Sequence, residues 1–155
     1  MLYRPYKTRD FDRLYALEEA CFELPFRFDR EYMLQLVNGS DTATWIAEEA
    51  GEMAGFAIVD WADGRSGIRA YIQTLEVAPG NRNRGVGREL LCRIEGSARD
   101  VGAHRIWLHV EAENTTAIRL YESHGYSRVG RQEDYYPLGR AALIYMKRLA
   151  AEATS

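Results

Sequence analysis

Only two of the 155 residues, Cys21 and Cys92, are cysteine. That is too few for a disulfide scaffold and agrees with a reducing compartment. Both fall in segments of helical pattern, where a packed thiol is the default. No His or Asp stands at a spacing that would activate either one, which argues against covalent catalysis through cysteine. The three histidines, His104, His109 and His124, form no metal-ligand spacing with the cysteines, and no metal is expected. There is no basic surplus: 20 Lys and Arg face 23 Asp and Glu, a formal net charge of −3. A general nucleic-acid binder shows the opposite balance. Long apolar runs are missing as well. The longest charge-free ones, Met53–Val59 and Ala141–Met146, fall far short of the ~20 residues of a spanning helix. The opening Met1-Leu2-Tyr3-Arg4-Pro5-Tyr6 has no apolar leader core. The expectation is a cytoplasmic chain with neither a membrane nor a nucleic-acid partner.

What is present suits one globular unit. The composition is 46% hydrophobic and 28% charged, enough apolar material to bury a core at the size of one domain. No repeat or low-complexity tract interrupts it. One domain over 1–149 is expected, with a frayed tail over 150–155.

The pattern along the chain alternates strands and helices. Leu2–Tyr6 reads as a strand. Thr8 is a candidate N-cap for a helix carrying Phe11, Leu14, Leu17 and Cys21. Pro25 ends that helix, and Asp29 is placed to cap a second one that stops near Asn38-Gly39. Thr44–Glu49 and Met53–Trp61 form a hairpin about Ala50-Gly51-Glu52, Ala62–Gly67 reads as a loop, and Ile68–Val77 is a third strand. Val86, Leu90, Ile94, Ala98 and Val101 mark an amphipathic helix that Gly102 terminates. Arg105–Val110 is a strand, Asn114 caps a helix ending at Gly125, and Tyr126–Val129 and Ala142–Met146 are two more strands. The order β-α-α-β-β-β-α-β-α-β-β predicts an α/β (α+β) fold. Its sheet would be mixed and mostly antiparallel, with about seven strands and about four flanking helices.

One turn carries chemistry. Arg82-Asn83-Arg84-Gly85-Val86-Gly87 joins a strand to the strongest helix. Amide N–H groups at a helix N-terminus attract anions, and glycine lets a ligand approach the backbone. The dinucleotide fingerprint fails because position 90 is Leu, and the Gly-Lys-Ser/Thr of a P-loop is absent. Two glycines alone are equally well a surface turn.

The turn resembles motif A of the GNAT acetyltransferases, in which Arg/Gln-x-x-Gly-x-Gly/Ala follows a strand and opens a helix. The Leu75-Glu76-Val77 strand end, Pro79 and Asn114…Leu120-Tyr121-Glu122…Gly125-Tyr126 are similar to the same family. The last of these segments, with Asp134-Tyr135-Tyr136-Pro137, resembles its N-terminal acetyltransferases, including the RimI (ribosomal-protein alanine) type. That type carries glutamate in a strand reading Leu-Glu-Val-Arg, whereas this chain reads Leu108-His109-Val110-Glu111. Other N-terminal acetyltransferases have Leu-His-Val there, and one class pairs the histidine with a tyrosine at the position of Tyr71. The common Asp-Ala before the last strand is replaced by Ala141-Ala142.

The resemblance implies acetyl-CoA as co-substrate, bound by Leu75, Glu76, Val77, Arg82, Asn83, Arg84, Gly85, Val86, Gly87, Arg88, Asn114 and Tyr121. It implies His109, Tyr71 and Tyr121 as catalytic residues, and a peptide slot between Leu24-Pro25-Phe26 and Tyr135-Tyr136. A protein or peptide N-terminus is the expected acceptor, and the chain is a monomer or homodimer. Two alternatives remain open: acetylation of a lysine side chain or a small amine such as a polyamine or aminoglycoside, and a non-catalytic acyl-CoA sensor. Taken without the motif, His109 and Tyr71 read equally as packed strand residues and Tyr121 as a core tyrosine.

Overall fold

The computed structural model describes residues 1–149; the tail expected over 150–155 lies outside the described residues. Among the described residues seven strands form one sheet: β1 (Leu2–Pro5), β2 (Thr42–Glu49), β3 (Glu52–Gly64), β4 (Gly67–Val77), β5 (Arg105–Glu111), β6 (Ser127–Tyr136) and β7 (Arg140–Arg148). Their spatial order is β1-β2-β3-β4-β5-β7-β6. Among the described residues only β4 and β5 are parallel. Four helices flank the sheet: α1 (Phe11–Cys21), α2 (Arg30–Val37), α3 (Val86–Asp100) and α4 (Thr115–Ser123). The element order and the mostly antiparallel sheet agree with the sequence reading.

The helices divide between the two faces. Phe56 and Ile58 of β3 pack with Leu14, Leu17 and Met33 of α1 and α2. Ala57 and Val59 point the other way, against Leu90, Leu91 and Ile94 of α3, and Tyr121 of α4 joins this second cluster. Strand β3 is therefore covered on both sides, which is why Ala54–Val59 is apolar without alternation. Strand β5 alternates instead: Ile106, Leu108 and Val110 are buried, while Trp107 and His109 are half-buried on the opposite face.

Several turn signals act as their chemistry predicts. Ala50 and Gly51 both have positive φ, 52° and 80°, the conformation of a two-residue hairpin turn. Asn114 Oδ1 accepts from Ala117 N at 3.2 Å, the expected N-cap. Gly102 and Gly125, at φ 84° and 87°, end α3 and α4.

Four expectations need correction. Thr8 is no N-cap: it opens a 3₁₀ turn, Thr8–Asp10, ahead of α1. Asp10 organises that turn, accepting from Lys7 N at 2.8 Å and from Arg4 at 2.7 and 2.8 Å. Asp29 sits at the N-cap position of α2 without a side-chain cap bond. The loop expected over Ala62–Gly67 shrinks to Arg65-Ser66, because β3 and β4 stay paired to Gly64↔Gly67. Strand β6 runs on to Tyr136 through a register shift between Gln132 and Tyr136, where Asp134 takes φ 50°, and Pro137–Gly139 is a 3₁₀ turn.

Candidate active site

The parallel contact between β4 and β5 is short. It covers Arg69↔Arg105, Ala70↔Ile106 and Tyr71↔Trp107. Strand β4 then continues to Val77 and β5 to Glu111 without further pairing between them among the described residues. The two strands part at Tyr71, leaving backbone groups on both free for another partner.

An aromatic cluster sits at the parting point. Tyr71 Oη lies 2.7 Å from His109 Nδ1. Trp107 meets Tyr71 edge-on, with ring centroids 5.5 Å apart. Tyr135 stacks on His109, with centroids 4.2 Å and planes 2° apart, and Tyr136 meets Tyr135 edge-on at 4.8 Å. All of these belong to the sheet face that α1 and α2 cover only in part. Alternation puts Tyr71, Trp107 and His109 on one side, and the register shift in β6 swings Tyr135 over them.

Burial governs the proton affinities. It lowers the His109 pKa below the ordinary 6.5, opposed by Gln132 beside the ring. Burial, with Tyr135 next, pushes the Tyr71 phenol far above its ordinary value. Burial does the same to Tyr121, which is 6% exposed and packs on Tyr126 across 5.5 Å. At neutral pH the imidazole is an uncharged base and both phenols keep their protons.

The glycine turn leads directly into α3. Gly85 is the N-cap of α3 at φ 80° and has no side chain to satisfy the helix's first N–H groups. A Cβ there would meet nothing within 4 Å, so the backbone conformation is what calls for glycine. Gly87 has a different reason: a Cβ would come within 3.3 Å of Leu120 of α4 and 3.6 Å of Leu75, so its absence lets α3, α4 and β4 close together. Arg82 Nε donates to Val77 O at 3.2 Å. Arg84 makes two 2.9 Å bonds to Glu49, so its charge is already paired.

Two loops are expected to flank a peptide slot. The Leu24-Pro25-Phe26 loop, with a cis Leu24–Pro25 bond, joins α1 to α2. The Arg140 guanidinium lies 5.3 Å from the Phe26 ring and 3.6 Å from Glu111, linking that loop to the start of β7. Beside it opens a cavity of about 520 Å³ lined by Glu111, Glu113, Glu133, Arg131 and Arg140. Leu24 and Leu138, on the two loops, are 75% and 78% exposed.

Sequence reasoning missed several neighbours. Trp107 was legible, two residues before His109 on the same strand. Asp60, whose carboxylate accepts from Gln73 Nε2 at 2.7 Å, depends on the β3–β4 register, which shifts at Ile58/Val59. The expectation of packed thiols without a histidine partner also fails for Cys92. It is exposed, and its Sγ lies 3.4 Å from His124 Nε2, a contact between α3 and the residue that follows α4, which spacing in one helix does not reveal.

Comparison with known proteins identifies the relatives of this chain. The model of the acetyltransferase (GNAT) family matches residues 11–126. Streptothricin acetyltransferase of Streptomyces lavendulae is 37% identical over 98 residues, covering 63% of this chain and 51% of that protein. An uncharacterized protein of Mycobacterium leprae is 34% identical over 146 residues, covering 91% of this chain and 38% of that protein. The chain thus spans about half of the first of these relatives and less of the second. The ribosomal protein bS18-alanine N-acetyltransferase of Escherichia coli K12 is 29% identical over 142 residues, covering 90% of this chain and 91% of that one. The crystal structure of the E. coli ribosomal-protein-S18-alanine N-acetyltransferase has a TM-score of 0.84 at 26% identity, covering 99% and 98% of the two chains. Arabidopsis thaliana NAA60 in complex with a bisubstrate analogue shares the fold, with a TM-score of 0.84 at 24% identity, covering 97% and 98%.

Proposed function

The chain belongs to the acetyltransferase (GNAT) family, and on that premise we propose that it moves the acetyl group of acetyl-CoA to the N-terminal α-amine of a protein or peptide. The observation that carries this reading is the Tyr71 Oη–His109 Nδ1 contact of 2.7 Å beneath the Tyr135 ring. It supports a neutral base and a relay at the parting point of β4 and β5. The ordinary pKa of an α-amine, about 7.7–8, stands close to that of imidazole, about 6.5, whereas a lysine side chain stands near 10.4. An unaided imidazole therefore suits the first far better than the second.

The groups divide the work. Acetyl-CoA supplies an activated thioester. Gly85, Val86 and Gly87, with Arg82, Asn83, Arg84 and Arg88, are suited to its phosphates, and the Leu75–Val77 backbone and Asn114 to its pantetheine arm. The acceptor amine attacks the thioester carbon while its proton passes to Tyr71 Oη and the phenolic proton passes to His109 Nδ1. The raised pKa of Tyr71 argues for such a concerted relay, because a free phenolate is not populated. Tyr121 gives its proton to the departing thiolate. Transfer is direct, with both substrates bound, and orientation supplies much of the rate. Leu24, Pro25 and Phe26 on one side and Tyr135 and Tyr136 on the other receive the peptide. Their open, partly apolar rim fits a chain better than an isolated polar amine.

A second reading has its own support. The cavity lined by Glu111, Glu113 and Glu133 suits a small polycation, and one relative is named for streptothricin. Thiol release from acetyl-CoA decides between them. The test uses peptides varied at their first two residues, the same peptides with a blocked N-terminus and a free lysine, and a panel of polyamines and aminoglycosides. We expect turnover with free N-termini alone, and a His109→Ala loss in kcat of about 100-fold or more. Turnover of blocked lysine peptides or of the small amines would replace this reading, and no turnover of any amine would favour an acyl-CoA sensor.

A further inference from the structure

Two carboxyl groups meet in the interior where cofactor strand and acceptor loop converge. Glu18 of α1 is 1% exposed and Glu76 of β4 is 3% exposed, and the two carboxyl groups are close neighbours. Each has one oxygen satisfied. Glu18 Oε2 accepts from Phe28 N at 2.9 Å, and Glu76 Oε2 accepts from Thr74 Oγ1 at 2.8 Å. The other oxygen of each, Oε1, is fully buried and has no donor.

Two ionised carboxylates are acceptors only and cannot satisfy one another. Burying both charges unpaired costs far more than protonating one of them. Among the described residues neither carboxylate has an ion pair. The other groups facing the pair are Tyr15 and Cys21 of α1 and Arg82 after β4, and Arg82 spends its guanidinium on Val77 O and Cys21 Sγ. Strand β3 brings Phe56 and Ile58 opposite Glu76 and Thr74, which carry no charge. A single proton between the two Oε1 atoms satisfies both orphans at once.

We infer that Glu18 and Glu76 share one proton, and that this O–H···O⁻ bond positions the acceptor-side loop against the strand that carries the acyl donor. The mechanical link is explicit. Phe28 closes the loop that holds Leu24-Pro25-Phe26, and α1 grips it twice, through Glu18 at its N–H and through Tyr15 Oη at its C=O, 2.8 Å away. Glu76 lies between Leu75 and Val77, beside the parting of the sheet. Burial and the neighbouring Glu18 hold the Glu76 carboxyl well above the usual range, so the shared proton outlasts that of a free carboxyl and leaves only as pH rises. The two charges then repel, and the loop loosens.

Two arms test this, and only the second rests on the acceptor reading above. Infrared spectra of isotopically glutamate-labelled protein at neutral pH should show a protonated carboxyl C=O stretch. Glu18→Gln and Glu76→Gln should each abolish it, because the new amide donates to the remaining carboxylate. In the second arm, the KM for an acceptor peptide should rise in alkali in the wild type and stay flat in Glu18→Gln. Glu18→Leu should raise that KM about tenfold at neutral pH, with kcat changed far less. Absence of the infrared band overturns the shared proton whatever the enzyme acetylates. A Glu18→Gln variant with the same raised KM as Glu18→Leu overturns the positioning role.

Discussion

The imidazole of His109 lies flat beneath the ring of Tyr135, with centroids 4.2 Å and planes 2° apart. The stack does two things. It restrains the imidazole in the rotamer that meets Tyr71, and it keeps water off the ring, the main reason why the His109 pKa is lowered. Tyr135→Phe retains both effects and should leave kcat within about threefold of wild type. Tyr135→Ala removes an aromatic pair of about 0.5–1.5 kcal/mol and should cut kcat/KM for a peptide by about three- to tenfold. Equal effects of the two substitutions would point to the Tyr135 hydroxyl instead.

The same contact sets a pH dependence. Imidazole acts as a base only when neutral, and its pKa here lies below 6.5. Activity should therefore rise with pH through a limb in the weakly acid range. A second rise belongs to the peptide amine, near 7.7–8. Tyr135→Ala admits water and should move the lower limb upward, toward 6.5. In His109→Ala the lower limb should vanish while the upper one remains. A kcat/KM profile from pH 5 to 9 measures both.

Much of the fold was legible because its signals are local. The caps at Asn114, Gly102 and Gly125, the Ala50-Gly51 turn and the amphipathic α3 all read correctly from neighbours a few residues away. His109 and Tyr71 were legible by motif and alternation. What escaped depends on register and tertiary packing. The shift between Gln132 and Tyr136 extends β6 and aims Tyr135 at His109, and no period-2 reading anticipates an irregular strand. The bond of Arg84 to Glu49 joins a turn to the end of β2, 35 residues apart. The contact between Glu18 and Glu76 joins a helix to a strand, and neither sequence neighbourhood marks those residues as buried.

The Arg84–Glu49 pair makes a direct prediction about the donor site. Both side chains are partly exposed, 49% and 38%; on the proposed reading the pair would compete with a CoA phosphate for the same guanidinium under ordinary salt screening. Glu49→Gln releases Arg84 and should lower the KM for acetyl-CoA by about two- to fivefold at low salt. Raising the ionic strength should shrink that gain. Arg84→Ala in the Glu49→Gln background should erase it. A KM for acetyl-CoA unchanged by Glu49→Gln would take Arg84 out of the phosphate site.

Stability should fail in acid through Asp10. The carboxylate is 0% exposed and accepts from Arg4 at 2.7 and 2.8 Å, from Lys7 N at 2.8 Å and from Arg13 at 3.1 Å. The Arg4 guanidinium first, then the Lys7 N–H, hold its pKa far below the ordinary carboxyl range, against burial. In the unfolded chain the same group titrates near 3.9. A pKa depressed by folding gives stability that is complete above the unfolded value and is lost as pH falls through the folded one. Wild-type protein should therefore lose stability steadily below about pH 4. Asp10→Asn keeps the shape but leaves Arg4 without its main countercharge, and should cost about 3–5 kcal/mol at neutral pH, as for a broken buried ion pair. The cost should shrink toward pH 2 as the unfolded wild-type chain takes up a proton at Asp10 that the folded one resists. Urea unfolding of both proteins between pH 2 and 7 measures the difference, and a pH-independent gap would show that packing around residue 10, not its charge, holds β1 to the turn before α1.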